Sequence, residues 1–342
     1  MNKITLGKTN LVIEKNGFGC LPIQRIREQD AVDLLHKAYD GGINFFDTAR
    51  AYSDSEQKVG AAFSSMRDKI VLATKTGAQT AEGFWKDLET SLRTLKTDYI
   101  DIYQFHNPAF CPKPGGEDGL YDAALEAKKQ GKIRHISITN HRLAVAHEAI
   151  DSGLYETLQF PFSYLAGEQE LELVRKCREK DMGFIAMKGM AGGLIRDGFT
   201  AAAWMAQQEG VVPIWGVQRE QELDQFLQCI REGAELTPER QERIERDRKE
   251  LCGEFCRGCG YCMPCPAGIE INQCARMSLM LRRAPAKEWL TEQWQQKMHR
   301  IEECRHCGHC TSKCPYGLNT PELLQANYKD YWQVLAQSKE EK

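Results

Sequence analysis

Residues 43–75 read INFFDTARAYSDSEQKVGAAFSSMRDKIVLATK, with two short apolar runs, Ile43–Asp47 and Ile70–Lys75, on either side of a helical segment. Runs of β-branched and aromatic residues of this length favour β-strands. The same strand–helix alternation extends in both directions, as far as Gln218. The other predicted strands are Gly17–Leu21, Tyr99–His106, Ile133–Asn140, Thr157–Pro161, Gly183–Lys188 and Val211–Gly216.

Two of the intervening segments have clear helical patterns. In Trp85–Lys96, leucines recur at i, i+4 and i+7 on one face, and Ala31–Asp40 ends at a Gly-Gly pair that suits a helix terminus. Eight strands that alternate with helices favour βα units and a parallel sheet, and eight is the number that closes a barrel of about 250 residues. The sequence therefore predicts an α/β fold, a (β/α)8 TIM barrel. A doubly wound open sheet is the alternative, but no G-x-G-x-x-G follows the first strand.

Composition excludes several classes of protein. The chain has 342 residues, of which 42% are hydrophobic, and a net charge of −3, which does not suggest binding to nucleic acid or to a membrane surface. The first residues, MNKITLGKTN, lack the apolar stretch of a signal peptide, and no run approaches the ~20 apolar residues of a membrane span. We expect a soluble, cytoplasmic protein with neither nucleic acid nor membrane as partner.

Fourteen cysteines are placed unevenly: four are spread through the first 230 residues, and ten lie between Cys252 and Cys314. In a reducing compartment such crowding indicates metal ligation rather than disulfides. A charged, helical stretch, Arg219–Leu251, separates the two regions and is interpreted as a solvated helix face without a functional role. We predict a barrel domain at 1–235 and a mainly α-helical domain at 236–342, with a frayed tail after Asp330.

The crowded region contains two related motifs, CRGCGYCMPCP at 256–266 and CRHCGHCTSKCP at 304–315. The second has the bacterial ferredoxin spacing C-x2-C-x2-C-x3-C-P, and the first is one residue shorter in its last gap. In two-cluster ferredoxins the fourth cysteine of each motif binds the other cluster. The resemblance thus implies two [4Fe–4S] clusters, one held by Cys256, Cys259, Cys262 and Cys314, the other by Cys304, Cys307, Cys310 and Cys265. Zinc is the alternative, but it normally takes two separated cysteine pairs.

The remaining residues of this region are given no ligand role. Cys252 and Cys274 are predicted to be packed thiols, and His306 and His309 to be loop residues.

Four polar residues lie at or just after predicted strand ends: Asp47, Tyr52, Lys75 and His106. In a barrel, the carboxyl ends of the strands converge on the mouth where active sites form. A tyrosine with an ordinary pKa of about 10 is a weak acid, and a lysine paired with an aspartate is expected to lower that pKa. An imidazole can orient a substrate oxygen. These residue types together predict protonation of a carbonyl oxygen during hydride transfer.

The stretch FFDTARAYSDSEQKVG at 45–60 resembles the signature of the aldo-keto reductase family, in which the Asp and the Tyr belong to a catalytic tetrad. Lys75 in ATKTG and His106 in YQFHN match the other two members. The whole chain is similar to the subgroup of this family that carries a ferredoxin-like C-terminal domain. The resemblance implies an oxidoreductase that uses NAD(H) or NADP(H), with Tyr52 as general acid and a small carbonyl compound as substrate.

The resemblance also implies contacts with the nicotinamide cofactor. Thr139 and Asn140 in SITNH, together with Gln159, match the positions that hold the carboxamide. AMKGMAGGL at 186–194 matches the loop under the cofactor. The corresponding contacts are Met187, Lys188, Gly189, Gly216, Gln218, Arg219 and Glu222. Glu222 stands where many members have arginine, and a carboxylate there repels a 2′-phosphate, so NADH is favoured over NADPH.

Three interpretations of the clusters stay open. They relay single electrons between a ferredoxin-like donor and the barrel, with a bound flavin or a substrate radical as the junction; they are structural or redox-sensing in an ordinary carbonyl reductase; or the barrel is a docking module for electron transfer without reductase turnover. Cys111, in the loop His106–Gly119, could react if it is exposed. Trp204 and Trp215 either line the pocket or pack, and packing is favoured.

Overall fold

The computed structural model describes residues 3–251, 255–283 and 286–340. These residues form two compact units. The first contains the described residues up to Met190 together with Asp197–Glu245, and the second contains Ala191–Arg196 and the described residues from Arg246 onward. The predicted boundary after residue 235 stays a prediction. Cys252, predicted to be a packed thiol, lies outside the described residues.

Ten strands occur in the described residues, and eight of them close into a parallel barrel in the order β10-β3-β4-β5-β6-β7-β8-β9. The strands are β1 (Lys3–Thr5), β2 (Val12–Glu14), β3 (Gly17–Gly19), β4 (Phe45–Asp47), β5 (Val71–Thr76), β6 (Ile100–His106), β7 (Ile133–Thr139), β8 (Thr157–Pro161), β9 (Gly183–Met187) and β10 (Val211–Gly216). The predicted (β/α)8 barrel is confirmed, and every predicted strand end lies within two residues of its observed position.

In the described residues, seven α-helices connect the barrel strands and two more follow the last strand. They are α1 (Glu28–Asp40), α2 (Ser55–Phe63), α3 (Ala81–Leu95), α4 (Leu120–Lys129), α5 (Leu143–Ser152), α6 (Glu168–Glu179), α7 (Gly198–Ala206), α8 (Glu220–Glu232) and α9 (Pro238–Glu250). Helix α3 shows why these segments fold. Thr80 caps it by accepting a hydrogen bond from Gly83 N at 3.2 Å, and its apolar face, which includes Phe84 and Leu88, is buried. This cap starts α3 four residues before the predicted Trp85.

The antiparallel hairpin β1–β2 was not predicted from the sequence. It pairs Lys3 with Glu14 and Thr5 with Val12. Leu6 and Ile13 are fully buried in a core cluster with Phe45, Ile185 and other barrel residues. The hairpin therefore fills the end of the barrel at which the strands begin and leaves the carboxyl ends to form the mouth.

In its described residues the second unit consists of helices and loops, and the first cysteine motif lies in a loop. Its helices are α10 (Ile271–Cys274), α11 (Met277–Arg283), α12 (Glu292–His299), α13 (His309–Lys313) and α14 (Thr320–Glu340). The predicted fraying after Asp330 is wrong, because α14 continues to Glu340 with Tyr331 and Leu335 buried, one turn apart. Within the described residues, no helix has both the length and the apolar character needed to cross a membrane.

Candidate active site

An ion pair between Asp47 and Lys75 lies at the centre of the barrel mouth. Asp47 ends β4 and Lys75 is the penultimate residue of the neighbouring strand β5. Lys75 Nζ donates to Asp47 Oδ2 at 2.5 Å and to Thr48 O at 2.6 Å, and the two charged residues are 1% and 2% exposed. The pKa of Lys75 is lowered, because burial lowers it more than the negative charge of Asp47 raises it. A pair so well removed from water requires good geometry to be tolerated.

Two glutamines complete the environment of the Asp47 carboxylate. Gln104 Nε2 donates to Oδ1 at 2.8 Å, and Gln159 Nε2 donates to Oδ2 at 3.3 Å. Three side chains from three other strands therefore fix this carboxylate. Sequence reasoning missed Gln104, although it lies two residues before His106 on β6 and so points to the same side of the strand.

Tyr52 and His106 lie beside this pair. The Tyr52 ring is 5.0 Å from Lys75 Nζ, measured to the ring centroid. The rings of Tyr52 and His106 meet edge to face with centroids 5.8 Å apart. The structure thus brings Asp47, Tyr52, Lys75 and His106 together, as the sequence predicted for a carbonyl-reducing site.

The electrostatics of the two rings differ in part from the sequence-based expectation. Burial raises the pKa of Tyr52, and Asp47 and the thiol of Cys20 act in the same direction, so the lowering expected from Lys75 is not seen. Burial, followed by the charge of Lys75, lowers the pKa of His106 to about 3. At neutral pH the phenol therefore keeps its proton, and the imidazole is neutral and available for hydrogen bonding.

The residues predicted to hold the nicotinamide carboxamide lie at adjacent strand ends. Thr139 and Gln159 are register partners on β7 and β8. Gln159 is 1% exposed, and its Oε1 has no hydrogen-bond partner among the described residues. Such a buried acceptor fits the amide hydrogens of a carboxamide.

Asn140 fits this role less well, because both ends of its side chain are engaged. Its Oδ1 accepts hydrogen bonds from His141 N and Arg142 N at 2.9 Å, and its Nδ2 donates to Pro108 O at 2.8 Å. These bonds shape the turn into α5.

The predicted loop under the cofactor begins at the end of β9. Met187 is half-buried, with its Sδ 4.0 Å from Thr139 Oγ1. Lys188 follows with φ +59°, and its charge contributes to lowering the pKa of the buried His141, after burial itself. Gly189 packs on Trp215, since a Cβ there would lie 2.6 Å from the indole ring.

The two tryptophans that were predicted to pack are both buried. Trp215 stacks on Phe226 with centroids 4.3 Å apart, and Trp204 packs against Phe162.

The last predicted cofactor contacts surround the start of α8, which follows Gly216 at the end of β10. Glu222 Oε2 accepts hydrogen bonds from Gln218 N at 3.0 Å and Arg219 N at 3.2 Å. Backbone N–H groups at a helix start are a common phosphate-binding site. Here a carboxylate of this chain already occupies two of them.

In the second unit, one cavity is lined by four of the predicted cluster cysteines: Cys265, Cys304, Cys307 and Cys310. This grouping takes the last cysteine of the first motif together with the first three of the second. It is the crossed arrangement that the ferredoxin spacing predicted, and it offers four thiols around one space.

The other four predicted ligands also come together. Burial raises the pKa of Cys256, and among the other influences on it are the nearby thiols of Cys259 and Cys314. Burial raises the pKa of Cys262 to about 12, with Cys256 and Cys259 acting in the same direction. Within the described residues, no three His, Cys, Asp or Glu side chains converge as they would around a single metal ion. The two groups of four thiols fit the donor set of two iron–sulfur clusters, in which each iron takes one cysteine.

Four of the described cysteines outside these sets are buried: Cys20, Cys111, Cys177 and Cys274. Cys274 Sγ lies 3.9 Å from Lys297 O. Cys111 is buried, and burial raises its pKa. The exposure that a reactive thiol requires is therefore not present at Cys111. Cys20, given no role from the sequence, is fully buried at the end of the first barrel strand, close enough to influence Tyr52.

Comparison with known proteins agrees with this geometry. The model of the aldo/keto reductase family matches residues 3–201, more than half of the chain. The chain belongs to the aldo/keto reductase family. A second model, the 4Fe-4S dicluster domain, matches residues 255–319 and contains both cysteine motifs. Together they support a nicotinamide cofactor and iron–sulfur clusters in one chain.

Several curated proteins are similar to a part of this chain. The uncharacterized oxidoreductase YqkF of Bacillus subtilis is 30% identical over 58% of this chain and 67% of that protein. The NADH-specific methylglyoxal reductase of Escherichia coli is 27% identical over 57% of this chain and 69% of that protein. The chain thus spans about two thirds of their length.

Among solved structures, the aldo-keto reductase AKR11C1 of Bacillus halodurans superposes with a TM-score of 0.65. It is 24% identical, and the match covers 74% of this chain and 98% of that one. At this identity the likeness supports the fold.

Proposed function

We propose that the barrel reduces an aldehyde or ketone with a nicotinamide cofactor, and that Tyr52 donates the proton. The observation that carries this proposal is the buried Asp47–Lys75 pair, 2.5 Å apart, beside the Tyr52 and His106 rings. A hydride acceptor becomes an alkoxide unless a proton arrives with the hydride, so an acid must stand at the substrate oxygen.

When bound, the nicotinamide supplies the hydride. The residues of this chain do the rest. Gln159 Oε1 and Thr139 hold the carboxamide, and Tyr52 Oη donates its proton to the carbonyl oxygen. His106, which is neutral, donates a hydrogen bond that orients the same oxygen. Lys75, fixed by Asp47, places positive charge beside the phenol and so stabilises the phenolate that is left after proton transfer.

For the cofactor, NADH is favoured over NADPH because Glu222 holds the Gln218 and Arg219 amides. A 2′-phosphate at this place would meet a carboxylate instead of free N–H donors. The relative named as NADH-specific has the same preference that we propose here.

Glu222→Gln is therefore expected to raise kcat/KM for NADPH relative to NADH by about tenfold, which corresponds to about 1.4 kcal/mol. The amide oxygen can still cap α8, so the change removes charge without removing the cap. Steady-state kinetics with both cofactors measure the ratio. Glu220→Gln, on the same helix and paired with Lys37 at 3.1 Å, is the matched control and should leave the ratio unchanged. An unchanged ratio in Glu222→Gln would count against this role of Glu222.

The clusters are proposed to relay single electrons between a ferredoxin-like donor and the barrel, with a flavin as one candidate for the junction to two-electron chemistry. The first cluster would be held by Cys256, Cys259, Cys262 and Cys314. The second cluster would be held by Cys304, Cys307, Cys310 and Cys265. The exposed Cys307 supports electron entry at the second cluster, because electron transfer requires close approach of the donor.

The test is anaerobic purification of the full chain, with iron, sulfide and flavin quantitation, followed by NADH oxidation in the presence of aldehydes and ketones. We expect about eight irons per chain and carbonyl-dependent NADH oxidation. The relay predicts that Cys256→Ser and Cys304→Ser abolish reduction driven by a one-electron donor. If the clusters are structural, the same two variants should lose stability but keep NADH-linked carbonyl reduction. If the barrel is a docking module, the wild-type protein should not oxidise NADH with any carbonyl compound.

A further inference from the structure

The two cysteine motifs share a backbone as well as a spacing. Residues two positions after the first cysteine of each motif, Gly258 and His306, both have positive φ, at +65° and +48°. The same holds for Gly260 and Gly308, at +81° and +72°. After the motifs, Gly268 and Gly317 correspond, each three residues beyond its last cysteine, with φ of +71° and +64°. The equivalence lets each side chain around one cysteine loop be compared with its counterpart around the other.

Arg276 lies against the first cysteine loop. It is 4% exposed, and its Nη2 donates to Gly192 O at 2.6 Å. A Cβ on Gly258 would lie 2.4 Å from Arg276 Nη1, so only glycine allows the guanidinium to approach the loop this closely. Cys256 is within electrostatic reach of this charge. Arg276 Nε is buried without a hydrogen-bond partner among the described residues.

The second loop has no such cation at the corresponding position. Arg276 is the eleventh residue after Cys265, and the eleventh after Cys314 is Gln325. Gln325 lines a surface groove with His306, the counterpart of Gly258. The arginines inside the two motifs, Arg257 and Arg305, correspond to each other and so do not distinguish the loops.

We propose that Arg276 is a positioning residue that raises the reduction potential of the first cluster and makes it the electron acceptor of the pair. Reduction adds one negative charge to a cluster, and a buried cation stabilises that charge with little screening by water or salt. The neutral Gln325 gives the second cluster no comparable stabilisation.

This inference rests on the proposed function of the cysteines as cluster ligands. The transfer it describes is one electron from the second cluster, which is oxidised by one electron, to the first cluster, which is reduced by one. No bond is made or broken and no proton moves. A low-potential one-electron donor of the ferredoxin class would then reduce the second cluster again, by approaching it at the exposed Cys307.

The experiment is a redox titration of the anaerobically purified full chain without substrate, followed by electron paramagnetic resonance. The wild type should show two one-electron steps. In Arg276→Gln the step at higher potential should fall, with at least a tenfold change in the reduced-to-oxidised ratio, or about 59 mV for one electron. The step at lower potential should not move. In Arg276→Lys the step at higher potential should stay close to its wild-type value, because the positive charge is kept.

The reciprocal change, Gln325→Arg, should raise the step at lower potential, and misfolding is a lesser concern because Gln325 is only half-buried, beside a surface groove. Arg300→Gln is the matched control. The Arg300 guanidinium approaches Gly268 in the same manner, at 2.8 Å from a Cβ position there, but its side chain is exposed and water should screen its charge.

A higher step that stays in place in Arg276→Gln would overturn the proposal, as would an equal shift in Arg300→Gln. Loss of NADH-linked turnover or of electron relay, with both potentials as expected, would overturn the proposed function and leave the effect of Arg276 standing. The two failures are therefore distinguishable.

Discussion

Tyr52→Phe is expected to lower kcat for carbonyl reduction by about 10²- to 10⁴-fold, the usual contribution of a positioned general acid. The change removes the one hydroxyl proposed to stand at the substrate oxygen, while the ring keeps its contact with His106. Because burial raises the pKa of Tyr52, the wild-type phenol should hold its proton throughout the neutral and mildly alkaline range. Single-turnover NADH oxidation measures the loss without interference from product release.

The matched control is Tyr121→Phe. Tyr121 Oη donates to Leu154 O at 2.7 Å, and Tyr121 belongs to helix α4 of the outer layer, not to a strand end at the mouth. Its loss should cost a hydrogen bond, about 1 kcal/mol of stability, and leave kcat unchanged. If Tyr52→Phe retained more than a tenth of wild-type kcat, Tyr52 would not be the proton donor.

Lys75→Met is expected to destabilise the barrel by about 3–5 kcal/mol, because it leaves the Asp47 carboxylate buried with only two amide donors. For a domain of this size that loss lowers the thermal midpoint by roughly 6–20 °C. Thermal unfolding followed by circular dichroism measures it. The variant should also lose carbonyl reduction, since no charge remains to stabilise the Tyr52 phenolate.

Two further variants separate the ion pair from the general loss of a lysine. Asp47→Asn combined with Lys75→Met removes both charges and should recover much of the stability but none of the activity. Lys37→Met removes a lysine that is 34% exposed and pairs with Asp224 at 2.8 Å, and should cost less than about 1 kcal/mol. Equal destabilisation by Lys37→Met and Lys75→Met would contradict the importance of burial.

Much of the fold could be predicted because the barrel strands are strongly apolar and the helices between them are amphipathic. The hairpin β1–β2 was missed because strands of three residues are too short for periodicity to show. The end of α14 was misjudged because its many polar side chains obscured Tyr331 and Leu335, which one helical turn places on the same buried side.

The candidate site was predictable where residue types carry the chemistry, and less so where neighbours decide it. The four residues of the mouth and the two cysteine motifs are visible in the sequence. The bonds from Gln104 and Gln159 to Asp47 join β6 and β8 to β4, which are not neighbours in the sheet, so these contacts form only across the interior of the closed barrel. The burial of Cys111 and the direction of the pKa shift of Tyr52 depend on packing that no local pattern reveals.

The hairpin at the base of the barrel has a consequence for proton supply. Because Leu6 and Ile13 fill the lower opening, we expect the Tyr52 phenolate to regain its proton through the barrel mouth, which substrate also uses. Bound alcohol would then hinder reprotonation, so we expect departure of product and resetting of the acid to be coupled in each catalytic cycle.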